Sequence, residues 1–390
     1  MINRLLVICP EFNQEYTVYQ PWKQIIEVSK KIQSKGIKIA IGTNATTDSQ
    51  VQGIDIISFT DKKLRQLKNN SIKKILEFNP DVILWIGNPL SGYYLKKLNL
   101  NSIPIILYIS TIPFSKNEIK NFKITELHKL GFLNLLTSFS PFNNILKNLN
   151  DKNISGIIVP NNTIKERLID EGIMKEKIFT APLCFEPEKD LISSNLEKIN
   201  SSNFTLCYLG PVYSIRGVDF LLDVIELFKK NKIKLKLKFL LRTTDTDKDH
   251  QLLVAKCKKR NIQEFLEIRS GILDRSSLFT EISNSDIVVI PTKFVWNEPP
   301  LAILESMYLG KLVITSNVCG LPELIANHGY ALDLKPELFF DIIQNFINDD
   351  NSLEKIASKG QDFVNSLPDW DFFADWLLTH LTDFQLKNKQ

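Results

Sequence analysis

The feature that most constrains this chain is an alternation that runs almost from end to end, in which short, continuous β-branched and aliphatic runs are separated by helix-length amphipathic stretches. Arg4–Cys9 is followed by Pro21–Ser34, where Trp22, Ile25, Ile26 and Val28 fall at helical spacing, and Gly36 stops that segment before Ile37–Ile41. The pattern continues through Ile54–Ser58, a Lys-rich helix near 62–78, Val82–Ile86, a helix near 90–98, Ile105–Ile109, Gly156–Val159 and Ile178–Ala181. A strand that is apolar at every position is covered on both faces, and strands joined through helices run parallel. The chain therefore predicts an α/β fold with doubly wound sheets. Thr163 and Glu166 have the spacing of a capping box for the helix after Val159.

Between Asp190 and Asn203 the sequence turns polar and rich in Ser and Asn, the composition of a connection. The alternation then restarts with Phe204–Leu209, a helix over Gly217–Lys230, Leu235–Leu241, Phe265–Arg269, Ile287–Ile290 and Leu312–Thr315. Lys234, Lys236 and Lys238 alternate with apolar neighbours, which places their strand at an edge or on a half-exposed face. A length of 390 residues allows two or three domains. The alternation resolves into two: residues 1–190, a linker over 191–203, and residues 204–365. The segment 366–390 carries Trp370, Phe373, Trp376, Leu377, Leu381 and Phe384 at helical steps, an aromatic stripe expected to pack back on the first domain.

Composition narrows the class. No apolar run reaches the ~18 residues of a membrane span, and the longest, Ile103–Phe114, is broken by Pro104 and Pro113. Leu5–Cys9 is too short for the core of a secretory signal. Five scattered cysteines form no CxxC pair, which points to a reducing cytoplasm and away from a disulfide framework or structural zinc. The net charge of +4 is unevenly spread: residues 1–190 hold 25 basic and 18 acidic side chains (+7), and the rest hold 23 and 26 (−3). A basic front half suits an anionic leaflet or a phosphorylated substrate, although solvated lysine faces are the commoner origin of such an excess. The run Lys62-Lys63-Leu64-Arg65-Gln66-Leu67-Lys68, continuing to Lys73-Lys74, is the segment a peripheral contact with an anionic membrane would use.

In doubly wound sheets ligands bind beyond the carboxyl ends of strands. Three such loops in the second domain stand out. Leu209-Gly210-Pro211-Val212-Tyr213-Ser214-Ile215-Arg216-Gly217 offers a close backbone approach at Gly210 and a bidentate phosphate donor at Arg216. Pro291-Thr292-Lys293-Phe294-Val295-Trp296-Asn297-Glu298-Pro299-Pro300 leads into a helix beginning near Leu301, whose free N–H groups suit an anion. Glu298 precedes that helix and Glu305 lies within an otherwise apolar stretch of it. The third loop runs from Asn317 to Glu323. The four histidines are isolated, and no metal site is implied.

Taken together, Gly310-Lys311-Leu312-Val313-Ile314-Thr315-Ser316-Asn317, Gly320-Leu321-Pro322-Glu323-Leu324-Ile325 and Glu305-Ser306-Met307 resemble the C-terminal signature of the retaining family-4 glycosyltransferases, which have the GT-B fold of two Rossmann-like domains. Gly210…Arg216-Gly217 is similar to that family's phosphate-binding element. The resemblance implies that Arg216 and the Gly210 backbone hold a donor diphosphate, that Glu305 binds the nucleotide ribose, that main-chain groups near Gly271-Ile272 read the base, and that Pro300 and Leu301 open the anion-facing helix. It also implies that a first glutamate meets the transferred sugar. Aligning on Glu305 puts Asn297 at that position and Glu298 one residue along. Pro211 replaces a family arginine, with Arg242 and Lys293 as the compensating cations. On the acceptor side, Glu11–Gln20 with Tyr16 and Tyr19 stands in for a Gly-Gly loop, and Ser110 stands where the family has histidine.

The resemblance therefore implies a metal-independent cytoplasmic enzyme that moves a hexosyl unit from a nucleotide-diphosphate sugar to a glycan, lipid-linked or small-molecule acceptor with retention of configuration. Arg216 and Glu298 are its expected catalytic residues; no further cofactor and no nucleic-acid partner is expected. Two other readings stay open: a catalytically degenerate binding or regulatory subunit, favoured by Pro211, Asn297 and Ser110, and an enzyme of the same fold that epimerises its nucleotide sugar.

Overall fold

The computed structural model describes residues 2–18, 21–61, 63–64, 67–98, 100, 103–111, 122, 126, 143–187, 204–241, 248–271 and 273–387. They divide into two units, one made of residues 1–184, 296–299 and 368–390, the other of 185–295 and 300–367.

The first unit is built on eight strands: β1 (Arg4–Ile8), β2 (Lys38–Thr43), β3 (Gln50–Val51), β4 (Ile54–Ser58), β5 (Val82–Gly87), β6 (Ile105–Ile109), β7 (Ile154–Val159) and β8 (Ile178–Thr180). Their order is β3-β4-β2-β1-β5-β6-β7-β8, parallel throughout except for the β3–β4 pair. The order reverses between β1, which pairs Leu5 with Ile39 of β2, and β5, which pairs Val82 with Leu5. Helices α1 (Trp22–Ser34), α2 (Asn69–Phe78), α3 (Ser91–Leu95), α4 (Asn143–Leu146) and α5 (Asn162–Asp170) lie between strands. Leu5, Leu6 and Ile8 are all sealed from solvent, as a sheet covered on both faces requires.

The aromatic stripe at the C-terminus belongs to a helix over Trp370–Lys387, and Trp370, Phe373, Leu377, Leu381 and Phe384 join the core built by Leu5, Val7, Ile25 and Ile26. Gly156 on β7 leaves room for the Phe384 ring, because a Cβ there would sit 2.2 Å from it. Lys31 and Lys35 of α1 pair with Asp371 and Asp375 at 2.8 and 2.9 Å along the same seam.

One local expectation is corrected. The helix after β7 is capped by Asn161, whose Oδ1 accepts from Ile164 N at 2.9 Å, and Thr163 is already helical. Asn161 holds the extended backbone (φ −156°, ψ 167°) that an N-cap needs, so the helix starts two residues before the Thr163–Glu166 box would start it.

The second unit holds β9 (Thr205–Leu209), β10 (Lys236–Leu241), β11 (Leu266–Ser270), β12 (Ile287–Ile290), β13 (Leu312–Ser316) and β14 (Tyr330–Leu332), all parallel, in the order β11-β10-β9-β12-β13-β14. This is the doubly wound order with its reversal between β9 and β12. Helices α6 (Val218–Lys230), α7 (Lys248–Arg260), α8 (Arg275–Ser283), α9 (Leu301–Tyr308), α10 (Leu321–Ile325), α11 (Pro336–Asn348) and α12 (Asp350–Asn365) complete it. The lysine-bearing strand is not at an edge. It runs as β10 between β9 and β11, and Lys238, only 7% exposed, pairs with Glu281 of α8 at 2.6 Å. A buried ammonium persists where a carboxylate meets it, so the polar alternation marked an ion pair under a helix.

Candidate functional site

In the second unit the elements at the strand-order reversal converge through the backbone. The chain leaves β9 at Gly210, whose φ of +144° side chains rarely adopt, and Tyr208 Oη donates to Pro211 O at 2.8 Å to hold the turn. A short helical turn, Ser214–Arg216, follows and ends at Gly217 with φ +79°. A Cβ on Gly217 would lie 1.9 Å from Pro291 O, so the loops after β9 and β12 touch at a point only glycine permits. Lys293 N donates to Ile215 O at 2.8 Å, which places Lys293 and Arg216 on adjoining backbone. Burial pushes the Tyr208 phenol well above its ordinary range, and the nearby Arg216 charge acts against that rise. Two cations thus stand at the carboxyl ends of neighbouring strands.

α9 opens after Pro300, which supplies no side-chain cap, so its first N–H groups lack that partner. Glu305, one turn in, is 5% exposed, and Arg275 Nη2 donates to its Oε1 at 2.7 Å. Arg275 is the first residue of α8, whose N-cap Asp274 accepts from Ser277 N at 2.9 Å, and its guanidinium lies 4.8 Å from the Phe279 ring centre. Gly271, the residue after β11, has φ +110° and stands three residues before that cap. Arg242 and Ile272 lie outside the described residues.

The first unit has its own cleft, of about 560 Å³, at the carboxyl ends of β1, β2, β5 and β6. Trp22, Trp85, Trp296, Asn44, Asn88 and Asn297 line it. Glu11, in the loop that replaces the expected Gly-Gly turn, also lines it and adopts φ 58° without being glycine. Ser110 faces the cleft and its Oγ donates to Asn297 Oδ1 at 3.1 Å, while Glu298 N donates to Ser110 O at 3.1 Å and Thr111 Oγ1 to Trp296 O. Glu298, 4% exposed, does not line the cleft; its Oε2 accepts from Asn161 Nδ2. Asn161 therefore uses both ends of its amide, one to cap α5 and one to hold Glu298. Tyr16 is 38% exposed and packs its ring 5.2 Å from that of Trp22, and Tyr19 lies outside the described residues. Cys9 borders the cleft, but burial drives its thiol far above the ordinary range, so it supplies no thiolate.

The structure thus joins Gly210, Arg216 and Lys293 around one turn, places Pro300, Leu301 and Glu305 on one helix, and gathers Ser110 and Asn297 in the other unit's cleft. Sequence reasoning did not find Arg275, Asn161 or the three tryptophans. Trp85 was the legible one, an aromatic at the carboxyl end of an aliphatic strand; Arg275 and Asn161 act through partners 30 and 137 residues away. Among the described residues, no group of three or more His, Cys, Asp or Glu is placed to hold a metal ion, and no helix is long and apolar enough to cross a membrane. Part of the basic run after Asp61 falls outside the described residues, and Lys74 within it donates to Ser58 O at 2.7 Å.

Residues 192–363 match the family described as Glycosyl transferases group 1. That stretch, somewhat under half of the chain, resembles a group 1 glycosyltransferase domain. The whole chain is similar in fold to the sucrose-phosphate synthase of Thermosynechococcus elongatus, at 13% identity with a TM-score of 0.73 and full coverage of both chains. It is similar also to a glycosyltransferase from Rickettsia africae (16% identity, TM-score 0.68, 98% of each chain) and to the Anabaena protein HepE in complex with UDP-glucose (14%, 0.69, 98% of this chain and 100% of that one). These likenesses establish the architecture as GT-B. An uncharacterized 41.2 kDa protein in the cps region of Klebsiella pneumoniae is 24% identical over 164 residues, 41% of this chain. The match spans about two fifths of that relative's length.

Proposed function

We propose that the protein is a family-4 glycosyltransferase that moves a hexosyl unit from a nucleotide-diphosphate sugar to a glycan or lipid-linked acceptor, with retention of configuration and without a metal. The observation that carries this reading is the backbone lacing of Ile215 to Lys293, which brings Arg216 and Lys293 to the strand-order reversal of a group 1 domain. Such a point is where a doubly wound sheet binds a nucleotide. The diphosphate lies against Arg216, Lys293 and the first turn of α9, which neutralise the charge that grows on the leaving group as the glycosidic carbon detaches. Glu305 accepts the ribose hydroxyls. Retention places the incoming hydroxyl on the face the diphosphate leaves, so the departing phosphate oxygen takes the acceptor's proton.

The cleft of the first unit supports a saccharide acceptor: the partly exposed faces of Trp22 and Trp296 suit the apolar faces of sugar rings, with the buried Trp85 packed at the cleft's wall, and Asn44, Asn88, Asn297 and Ser110 offer both donors and acceptors to hydroxyls. Of the two rivals for the first-glutamate position, Asn297 is favoured by lining the cleft, which Glu298 does not. The HepE complex makes UDP-glucose the first donor to try. Turnover of UDP-glucose, or of another sugar in a nucleotide-sugar panel, with the product anomer read by NMR, tests the reading. Failure of the whole panel to bind removes it. Binding with no turnover favours the regulatory subunit, to which the burial of Glu298 lends weight. Contact with an anionic leaflet through the basic run after Asp61 is part of the same reading, and co-sedimentation with anionic vesicles that ignores salt discards it.

A further inference from the structure

We infer that Arg275 is a positioning residue that makes the donor site select a ribonucleotide over its 2′-deoxy counterpart. The inference rests on the donor reading above and deepens it. Glu305 is almost fully buried as the one charged side chain of its helix, and a glutamate there has three side-chain torsions to settle. Arg275 settles them, because its guanidinium bonds Oε1 at 2.7 Å. Arg275 is itself placed by its own helix. The Asp274 cap fixes the start of α8, and the Phe279 ring one turn on lies 4.8 Å from the guanidinium carbon. The carboxylate is thereby oriented by a helix that follows β11, a strand separated by the β9–β12 reversal from β12, which leads into α9. A carboxylate held in one orientation accepts from a ribose hydroxyl at full strength; a mobile one forfeits part of that bond to ordering. The guanidinium also offsets the negative charge of Glu305, which an incoming diphosphate would otherwise meet unneutralised.

Calorimetric titration of wild type and Arg275→Met with UDP and with dUDP tests this. A hydrogen bond to a charged acceptor predicts that wild type binds UDP at least about tenfold more tightly than dUDP. In R275M the preference should fall to within about twofold, whatever happens to the overall affinity. Should R275M not fold, Arg275→Lys keeps the charge but not the planar fork, and its preference should fall at least about threefold. An undiminished UDP-over-dUDP ratio in the variant, with both nucleotides weakened alike, shows a merely structural ion pair and overturns the inference. A wild type that binds none of UDP, GDP and ADP instead overturns the donor reading, and the inference falls with it.

Discussion

At the scale of single residues, Glu298 just before α9 and Glu305 within it illustrate how partners separate groups that look alike in sequence and are equally buried. Glu305 keeps an arginine partner beside the strand-order reversal, whereas Glu298 is turned away from the cleft onto an asparagine amide. The sequence left Asn297 and Glu298 as rivals because a one-residue offset cannot show which side chain a strand end will anchor. The bond that anchors Glu298 comes from Asn161, 137 residues away. Asn161→Asp retains the cap, since aspartate caps as well as asparagine, but sets a second carboxylate against Glu298. We expect a loss of about 2–4 kcal/mol in stability by denaturant melts and a clear fall in turnover. The double variant N161D/E298Q should recover most of both, and a single variant indistinguishable from wild type would remove the anchoring role.

At the scale of elements, nearly every strand was legible, because strands buried on both faces write themselves as unbroken apolar runs. What was not legible depended on partners from elsewhere in the chain. β10 read as an edge or a half-exposed face: Lys234 and Lys236 do keep solvent, but Lys238 is covered by Glu281 on α8, which no local pattern shows. The C-terminal helix read correctly as amphipathic, but its seat on β7 depends on Gly156 making way for Phe384. Gly156→Ala should therefore destabilise by about 1–3 kcal/mol through overpacking, and adding Phe384→Leu should return much of it. The same helix meets α1 through Asp371, whose carboxyl the Lys31 hydrogen bond holds below the usual range. A depressed carboxyl contributes stability above the ordinary carboxylate pKa and loses it as pH falls through the lowered value. Melting midpoints of wild type and Asp371→Asn should thus differ slightly at pH 7, because the pair is exposed and weakly coupled, and converge as pH falls through the lowered value. A difference that widened in acid would contradict the assignment.

At the scale of the whole molecule, the sequence reads as two sheet-centred units with a C-terminal helix returning to the first, and no sequence signal sets residues 296–299 apart from their neighbours. Residues 296–299 join the first unit although the chain on either side of them belongs to the second, because Ser110 and Asn161 offer that loop hydrogen bonds that no local pattern announces. One loop therefore supplies Lys293 to the turn beside Arg216 and Asn297 to the tryptophan-lined cleft. The central claim is that Arg216 stabilises the departing diphosphate at the β9–β12 reversal. It is tested most directly by single-turnover rates of wild type and Arg216→Ala with the nucleotide sugar that wild type consumes. The account predicts a fall of roughly 10²–10³ in the rate, about 3–4 kcal/mol of transition-state stabilisation, with the fold intact. An R216A protein that turns over at close to the wild-type rate contradicts it.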